Sequence, residues 1–311
     1  MRNLTLKQLR YFEALAQHGH FGRAAQACAI SQPALSVQIR ELEGSLGTEL
    51  FERGARQIRL TNFGEEFATR VRGILRSVDE LGELAMASRD HMVGRLRIGV
   101  IPTIAPYLLP EIITDLTAAN SSIDFQIRES LTPILVRELA DGRLDAAIVA
   151  LPVSEPSLTE VSLFEENFVL VRPVADEGKP VPGHEDLREM KLLLLEEGHC
   201  FRDQALTFCN IQSSRPREML DASSLATLVQ MVGAGLGVTL IPEMAIAVET
   251  RSAPVSIAHF RNPQPSRTIG MIWRKTSPLA KQLRQISEVV RKTTAPAPTA
   301  PRIQLDAQGL L

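Results

Sequence analysis

The segment Cys28-Ala-Ile-Ser-Gln-Pro-Ala-Leu-Ser-Val-Gln-Ile-Arg-Glu-Leu-Glu43 decides how the first part of this chain folds. Ser31 is a favourable helix N-cap, and Pro33 suits an early helical position, where an amide proton has no intrahelical partner. Gly47 favours a helix end. Apolar residues recur between these signals at helical spacing, namely Leu35, Ile39, Leu42 and Leu46. The segment is therefore predicted to be a helix with one buried face.

The flanking segments extend this prediction to a winged helix-turn-helix. Apolar residues from Leu6 to Ala16 follow a helical period that Gly19 ends, and Phe21 to Ala27 is predicted to be a short second helix. A helix, a short helix, a tight connection and a capped helix form the order of a helix-turn-helix. Residues 50–60 are predicted to form two short strands about a Gly54-Ala55 turn, a basic wing carrying Arg53, Arg56 and Arg59. We expect residues 1–60 to form this all-α winged domain.

The polar face of the predicted third helix is a candidate DNA-reading surface. Gln32, Ser36 and Arg40 lie opposite the apolar stripe, and glutamine in a major groove pairs bidentately with adenine. A solvated face on a core helix is the alternative, and the arginines of the wing favour DNA because they supply phosphate contacts. The expected partner is double-stranded DNA, contacted by Ser31, Gln32, Pro33, Ser36, Gln38, Arg40, Arg53, Arg56 and Arg59.

The overall composition is that of an ordinary soluble protein of two or three packed units. The chain has 311 residues, 44% hydrophobic and 23% charged, with a formal net charge of -2, so DNA affinity must come from a local basic patch. No apolar run approaches the roughly 20 residues of a membrane span, and the first residues lack a signal-peptide core. We expect a cytoplasmic protein without membrane contact. The six histidines are scattered and no phosphate loop appears, so no metal or cofactor is expected.

The rest of the chain predicts a linker helix and an α/β domain. Residues 61–92 keep a helical apolar period over about 45 Å, and such a lone helix needs a partner, most simply a second copy of itself. From residue 94, strands and helices alternate, which predicts a mainly parallel sheet. We expect a regulatory domain over 94–292 with two α/β lobes, lobe I at 94–165 and 268–292 and lobe II at 166–267. The proline-rich residues 293–311 are predicted to be a disordered tail.

Three runs of sequence resemble the DNA-binding head of LysR-type transcriptional regulators: Leu9-Arg-Tyr-Phe-Glu-Ala-Leu-Ala-Gln-His-Gly-His-Phe-Gly-Arg-Ala-Ala25, Ser31-Gln-Pro-Ala-Leu-Ser36 and Leu46-Gly-Thr-Glu-Leu-Phe-Glu-Arg53. The resemblance extends through the linker to the Gly233–Pro242 segment. It implies a regulator that is not an enzyme, a dimerising linker helix, a periplasmic-binding-protein-like regulatory domain and a tetramer of two dimers. RNA polymerase is a further expected partner. Most members bind a small metabolite in the cleft between lobes, which is the alternative function here.

The segment from Glu196 to Cys209 resembles the sensor segment of the peroxide-responsive branch of that family. Cys200 is expected to react with hydrogen peroxide as a thiolate, favoured by His199, Arg202 and a helix N-terminus, with Asp203 nearby. The resulting sulfenic acid then condenses with Cys209 to a disulfide, which changes DNA contacts and the transcription of antioxidant genes. Two inert, buried cysteines are the alternative, although ionisable neighbours favour the redox interpretation. Cys28 is expected only to pack.

Further pocket residues follow from the same resemblance. Thr103 and Thr132 match positions whose hydroxyls hold peroxide, although either residue can instead cap the helix that follows. Arg267 is a candidate neighbour of the sulfur, with a surface salt bridge as the alternative. The glycines 233, 235 and 237 with Pro242 are better explained as a turn into a strand. A peroxide-reducing enzyme is a third candidate function, and the absence of a Cys-X-X-Cys motif argues against it.

Overall fold

The computed structural model describes residues 4–52, 58–87, 94–119, 123–183, 186–187, 190–209, 220–260 and 264–294. The chain divides into two compact units, Met1–Arg89 and Asp90–Leu311. Within the described ranges, no helix is long and apolar enough to cross a membrane. Most of the proline-rich tail, residues 295–311, lies outside these ranges.

The described part of the first unit contains α1 (Leu6–His18), α2 (Phe21–Ala27), α3 (Gln32–Leu46) and α4 (Asn62–Ala87). The predicted caps are confirmed. Gly19 and Gly47 adopt φ angles of 59° and 72°, a left-handed conformation that suits glycine, where they end α1 and α3. The Ser31 hydroxyl accepts a hydrogen bond from the Ala34 amide over 3.4 Å at the start of α3.

An apolar core joins the helices of this unit. Phe12 on α1 is fully buried, and its ring lies 5.4 Å from that of Phe51 and 5.1 Å from that of Phe67 on α4. The predicted stripe of α3 contributes Leu35, Ile39 and Leu42 to the same core. The helix-turn-helix and the start of the linker helix therefore pack around one centre.

The wing is described only at its base. Phe51 and Leu60 form an antiparallel bridge, and the Glu52 amide donates to the Arg59 carbonyl over 2.9 Å. Two chain segments thus pair as the sequence predicts. The predicted Gly54-Ala55 turn, Arg53 and Arg56 lie outside the described residues.

The second unit alternates strands and helices. Its strands are β1 (Gly94–Val100), β2 (Ile123–Glu129), β3 (Ala146–Leu151), β4 (Leu158–Pro173), β5 (Leu194–Leu195), β6 (Asp221–Ala222), β7 (Thr239–Pro242), β8 (Val255–His259) and β9 (Ser266–Arg274). Its helices are α5 (Ala105–Ala119), α6 (Thr132–Ala140), α7 (Cys200–Phe208), α8 (Leu225–Gly233), α9 (Ile246–Glu249) and α10 (Ala280–Thr293). Short 3-10 turns cover Val174–Asp176 and Glu243–Ala245.

The prediction of a mainly parallel sheet is wrong. The strand order is β2-β1-β3-β9-β4-β7, with β8 also paired to β4 and with β5 and β6 forming a separate parallel pair. β1 is parallel to β2 and β3, but β9 is antiparallel to β3 and β4, and β7 and β8 are antiparallel to β4. An apolar run predicts that a strand is buried but does not predict its direction. Here the directions of β8 and β9 depend on their antiparallel pairing with β4.

Strands β8 and β9 both pair with the long strand β4. β8 pairs with the end of β4, from Pro173 back to Val169, and β9 then pairs with its earlier part, from Asn167 back to Leu158. Sequence analysis missed β8 and the first part of β4, where acidic and polar residues interrupt the apolar pattern. The expected lobe boundaries fall side by side in this ladder, because Glu165 pairs with Thr268 and Glu166 with Arg267.

Candidate functional site

Cys200 lies at the start of α7. Leu195 ends β5, a four-residue loop follows, and His199 takes the N-cap position with an extended backbone and no side-chain capping bond. Cys200 is then the first helical residue and is half-buried. Amide groups in the first turn of a helix have no partner within that helix, and they attract negatively charged groups.

Cys209 lies at the other end of the same helix, where it is the C-cap. Its side chain is fully buried in an apolar core formed by the end of β4, residues 192–195, α7 and α8. Burial raises the pKa of the Cys209 thiol to about 11, so its sulfur is neutral near pH 7. Both cysteines are free thiols, and nine helical steps separate their Cα atoms by about 13 Å.

The expected cationic support for Cys200 is not what the structure provides. Burial lowers the pKa of His199, opposed by the carboxylate of Glu196, which favours the neutral imidazole. The Arg202 guanidinium donates to the Leu195 carbonyl over 2.6 Å and to the Asp221 carboxylate over 2.7 Å. Residues two apart on a helix do not share a face. Arg202 therefore ties α7 to β5 and β6.

Asp203 was also expected beside the sulfur. It lies in the first turn of α7, three residues after Cys200, and its side chain is exposed. Its backbone carbonyl accepts a hydrogen bond from the Thr207 hydroxyl over 2.7 Å. The structure therefore places Asp203 at the rim of this region, facing solvent.

Arg267 and Thr103 form a buried polar pair. Arg267 donates from Nη1 to the Thr103 hydroxyl over 2.8 Å and from Nη2 to the Thr103 carbonyl over 3.1 Å. The guanidinium lies 5.5 Å from the ring centre of Phe201, the residue after Cys200, and 6.0 Å from that of Phe168. The alternative of a surface salt bridge is excluded, since the Arg267 side chain is 0% exposed.

Glu166, which was not singled out from the sequence, also binds Arg267. Its carboxylate accepts from Arg267 Nε over 2.8 Å and from the Met244 amide over 3.3 Å. Burial raises the pKa of Glu166, and the adjacent Arg267 opposes that shift. A buried glutamate is rarely found without a partner, but the burial of Glu166 within β4 depends on the distant strand β9 and is not visible in the local sequence.

Thr132 is the first residue of α6, at the end of this helix that lies against the loop before Cys200. The N-cap of α6 is Leu131, so Thr132 does not cap this helix, and its buried hydroxyl oxygen has no hydrogen-bond partner in the described part of the chain. A Cβ on Gly198 would lie 3.1 Å from a methyl carbon of Leu131, which places the loop before Cys200 against this end of α6. A second buried acceptor without a partner is Oε1 of Gln204, one helical turn after Cys200.

The predicted DNA-contacting residues of the first unit differ in how exposed they are. Ser31, Gln32, Pro33, Arg40 and Arg59 are exposed, whereas Ser36 and Gln38 are half-buried. Gln38 donates to the Glu41 carboxylate over 2.7 Å, and Arg40 donates to the Ser36 carbonyl over 3.3 Å. Cys28 packs against the core of this unit, and burial raises the pKa of its thiol, as expected for a packing role.

A helix-turn-helix unit followed by an α/β unit defines a DNA-binding transcriptional regulator, and comparison with known families agrees. Residues 6–65 match the bacterial regulatory helix-turn-helix of the lysR family, and residues 89–295 match the LysR substrate binding domain. The chain belongs to the LysR family. The predicted fold class, a helix-turn-helix domain joined to an α/β regulatory domain, is confirmed.

Within that family the chain is similar to OxyR proteins. It is 41% identical over 304 residues to a probable hydrogen peroxide-inducible genes activator of Streptomyces viridosporus, covering 96% of each chain. It is 40% identical over 293 residues to the DNA-binding transcriptional dual regulator OxyR of Escherichia coli, covering 93% of this chain and 95% of that one.

Solved structures of OxyR proteins also match this chain. A full-length OxyR variant from Pseudomonas aeruginosa matches with a TM-score of 0.75 and 37% identity, over 93% of this chain and 95% of that one. A hydrogen peroxide-bound OxyR variant from Corynebacterium glutamicum matches with a TM-score of 0.64 and 33% identity, over 94% and 92%. The peroxide-responsive branch suggested by the segment around Cys200 is therefore the branch that the comparisons find.

Proposed function

We propose that this protein is a cytoplasmic transcriptional regulator that binds double-stranded DNA, senses hydrogen peroxide through Cys200, and changes the transcription of antioxidant genes. The OxyR relatives, which include hydrogen peroxide-inducible activators and a peroxide-bound structure, support this proposal. The single observation that carries it is the placement of Cys200 and Cys209 at the two ends of α7.

The chemistry balances with one equivalent of peroxide. The Cys200 thiolate attacks one peroxide oxygen, the O–O electron pair leaves with the other oxygen as hydroxide, and the sulfur becomes a sulfenic acid. The hydroxide takes up the proton that the thiol gave to solvent and becomes water. Cys209 then attacks the Cys200 sulfur, a disulfide forms, and the sulfenic hydroxyl leaves as a second water. Two thiols are oxidised and one peroxide is reduced.

The second step makes the reaction a switch. A disulfide needs Cα atoms within about 7 Å, whereas an intact α7 holds those of Cys200 and Cys209 about 13 Å apart. Cys209 is also fully buried in the core. Forming the bond therefore unwinds α7 and repacks that core, a local change that passes to the rest of the regulatory unit.

The peroxide pocket of this proposal includes the hydroxyls of Thr103 and Thr132, the neutral imidazole of His199, and Arg267. Thr132 offers a buried hydroxyl that has no partner among the described residues, and Thr103 is fixed by Arg267. Arg202 is assigned instead to holding α7 on β5 and β6, and Asp203 to the exposed rim.

The DNA-binding unit acts through α3 and the wing. Gln32 and Ser36 face bases in a major groove, and Arg40 and Arg59 contact phosphates, together with Arg53 and Arg56. Exposed apolar residues on α4 support a homodimer through the linker helix, since Phe63, Ile74 and Leu81 are 41%, 47% and 65% exposed. Two such dimers form a tetramer on DNA, and RNA polymerase is the partner that reads its state.

The decisive experiment titrates the full-length protein with hydrogen peroxide while its DNA footprint is recorded. The wild type and a Cys28→Ser control change their footprint at about one peroxide per chain, whereas Cys200→Ser and Cys209→Ser do not. A footprint that still responds without both sensor cysteines would instead favour a regulator of the metabolite-binding kind. Sustained peroxide turnover with thioredoxin or glutathione, far above one equivalent, would indicate an enzyme.

A further inference from the structure

Glu166 and Arg267 lie directly opposite each other in the β4–β9 ladder. Arg267 Nη2 lies 2.7 Å from one carboxylate oxygen of Glu166, which also accepts from Nε, while the other oxygen accepts from the Met244 amide. Both side chains are buried. Because each carboxylate oxygen is engaged and the two strands fix the backbones, Glu166 sets the orientation of the guanidinium plane.

Arg267 passes this orientation to Thr103. Its Nη1 donates to the Thr103 hydroxyl and its Nη2 donates to the Thr103 carbonyl, so two bonds fix one residue. The rings of Phe168 and Phe201 lie beside the guanidinium and limit its movement. The chain of contacts therefore runs from Glu166 through Arg267 to the Thr103 hydroxyl, and the same guanidinium lies beside the ring of Phe201, the residue after Cys200.

The direction of the Thr103 hydrogen bond follows from this arrangement. A guanidinium has donors and no acceptor, so the Thr103 oxygen must accept from Arg267. The single hydroxyl proton of Thr103 then remains to be donated elsewhere. Among the described residues, the Thr103 hydroxyl accepts this bond and donates none. A hydroxyl held this way donates to whatever oxygen enters the site.

We propose that Glu166 is a positioning residue for peroxide reduction, because it holds Arg267 so that the Thr103 hydroxyl is always a donor toward the peroxide oxygen that leaves. This inference rests on the proposed function. As the O–O bond breaks, its electron pair moves to the leaving oxygen, and a preorganised donor stabilises the charge that develops there. Glu166 itself touches neither peroxide nor sulfur.

The test compares two reactions of Cys200 in full-length protein. Glu166→Gln lowers the second-order rate constant for oxidation by hydrogen peroxide about tenfold, the effect expected for one well-placed hydrogen bond. Alkylation of Cys200 by iodoacetamide, which has no leaving oxygen, stays unchanged. The matched control is Glu165→Gln, which makes the same change at the exposed neighbouring residue on β4 and leaves both rates alone.

A double-mutant cycle separates positioning from a general structural effect. Thr103→Val slows oxidation, and adding Glu166→Gln to it produces no further loss if Glu166 acts through Thr103. Glu166→Asp, which keeps the charge, serves as a second variant should Glu166→Gln not fold, and it retains more of the oxidation rate than the amide. Additive losses, or equal losses in oxidation and alkylation, overturn the assignment of Glu166. A wild type whose Cys200 resists peroxide overturns both this inference and the proposed function.

Discussion

Cys200 and Cys209 are the first residue and the C-cap of one helix, α7, and only Cys209 is fully buried. A single element thus separates a half-exposed sulfur from a core sulfur and must lose its structure before the two bond. The contacts that hold α7 in place therefore set how readily the second step occurs.

Loss of the Arg202–Asp221 contact is predicted to accelerate disulfide formation. Arg202→Ala removes two charge-assisted bonds that tie α7 to β5 and β6, which lowers the cost of unwinding by about 1–3 kcal/mol. Stopped-flow measurements on the peroxide reaction should show an unchanged first step and a faster second step. Asp221→Asn acts in the same direction with a smaller effect, because Leu195 still accepts from Arg202. An unchanged second step in both variants would show that α7 is not held by this contact.

Gly198→Ala is predicted to slow the reaction of Cys200 and to destabilise the regulatory unit. Gly198 has a φ of 94°, which costs other residues about 1–3 kcal/mol, and an added Cβ would lie 3.1 Å from Leu131. The loop must therefore shift away from the start of α6, which changes the distance from Cys200 to Thr132. The peroxide oxidation rate and the unfolding midpoint test this. Gly178→Ala also has a positive φ but open space around it, so it isolates the backbone cost.

The buried thiol of Cys209 predicts a loss of stability at alkaline pH. Its folded pKa of about 11 lies above the ordinary value of 9.0, so the unfolded chain releases this proton first as pH rises. The stabilisation is complete below about pH 9 and is lost by about pH 11, a change of about 2–3 kcal/mol. Fluorescence of Trp273, the single tryptophan and a buried residue of β9, reports this unit in urea. Relative to Cys209→Ala, the wild type should lose stability across this range, and parallel pH profiles would contradict the assignment.

Substitutions on the DNA-binding surface are predicted to weaken DNA binding in two different ways. Gln32→Ala is expected to cost about 1–3 kcal/mol on the cognate site and little on random DNA, because its contact is to a base. Arg59→Ala should weaken binding to both DNAs alike and lower the salt dependence by about one counterion. Binding titrations on both DNAs at several salt concentrations separate the two. An equal loss on both DNAs for Gln32→Ala would place it on the phosphate backbone.

Much of the first unit was predictable because its signals are local. Gly19, Ser31 and Gly47 act within a few residues of their own positions, and the stripe of α3 faces a core that the same periodicity predicts. The directions of β8 and β9 were not predictable, because they depend on pairing with β4, about 80 or more residues earlier in the sequence.

The site shows the same contrast. The position of Cys200 at a helix start follows from its neighbours in sequence, and the structure confirms it. The Arg202–Asp221 bond and the link from Glu166 to Thr103 join distant segments, so proximity in sequence could predict neither contact. Residues adjacent to a cysteine need not face it on a helix.

Hydrogen exchange of the peptide covering residues 200–209 tests directly whether disulfide formation unwinds α7, when it is measured in the reduced protein and after one equivalent of peroxide. We expect the amides of α7 to be protected in the reduced form and to exchange rapidly once a Cys200–Cys209 disulfide is confirmed by mass. A disulfide that forms while these amides keep their protection would contradict the claim that bonding the two sulfurs unwinds the helix between them.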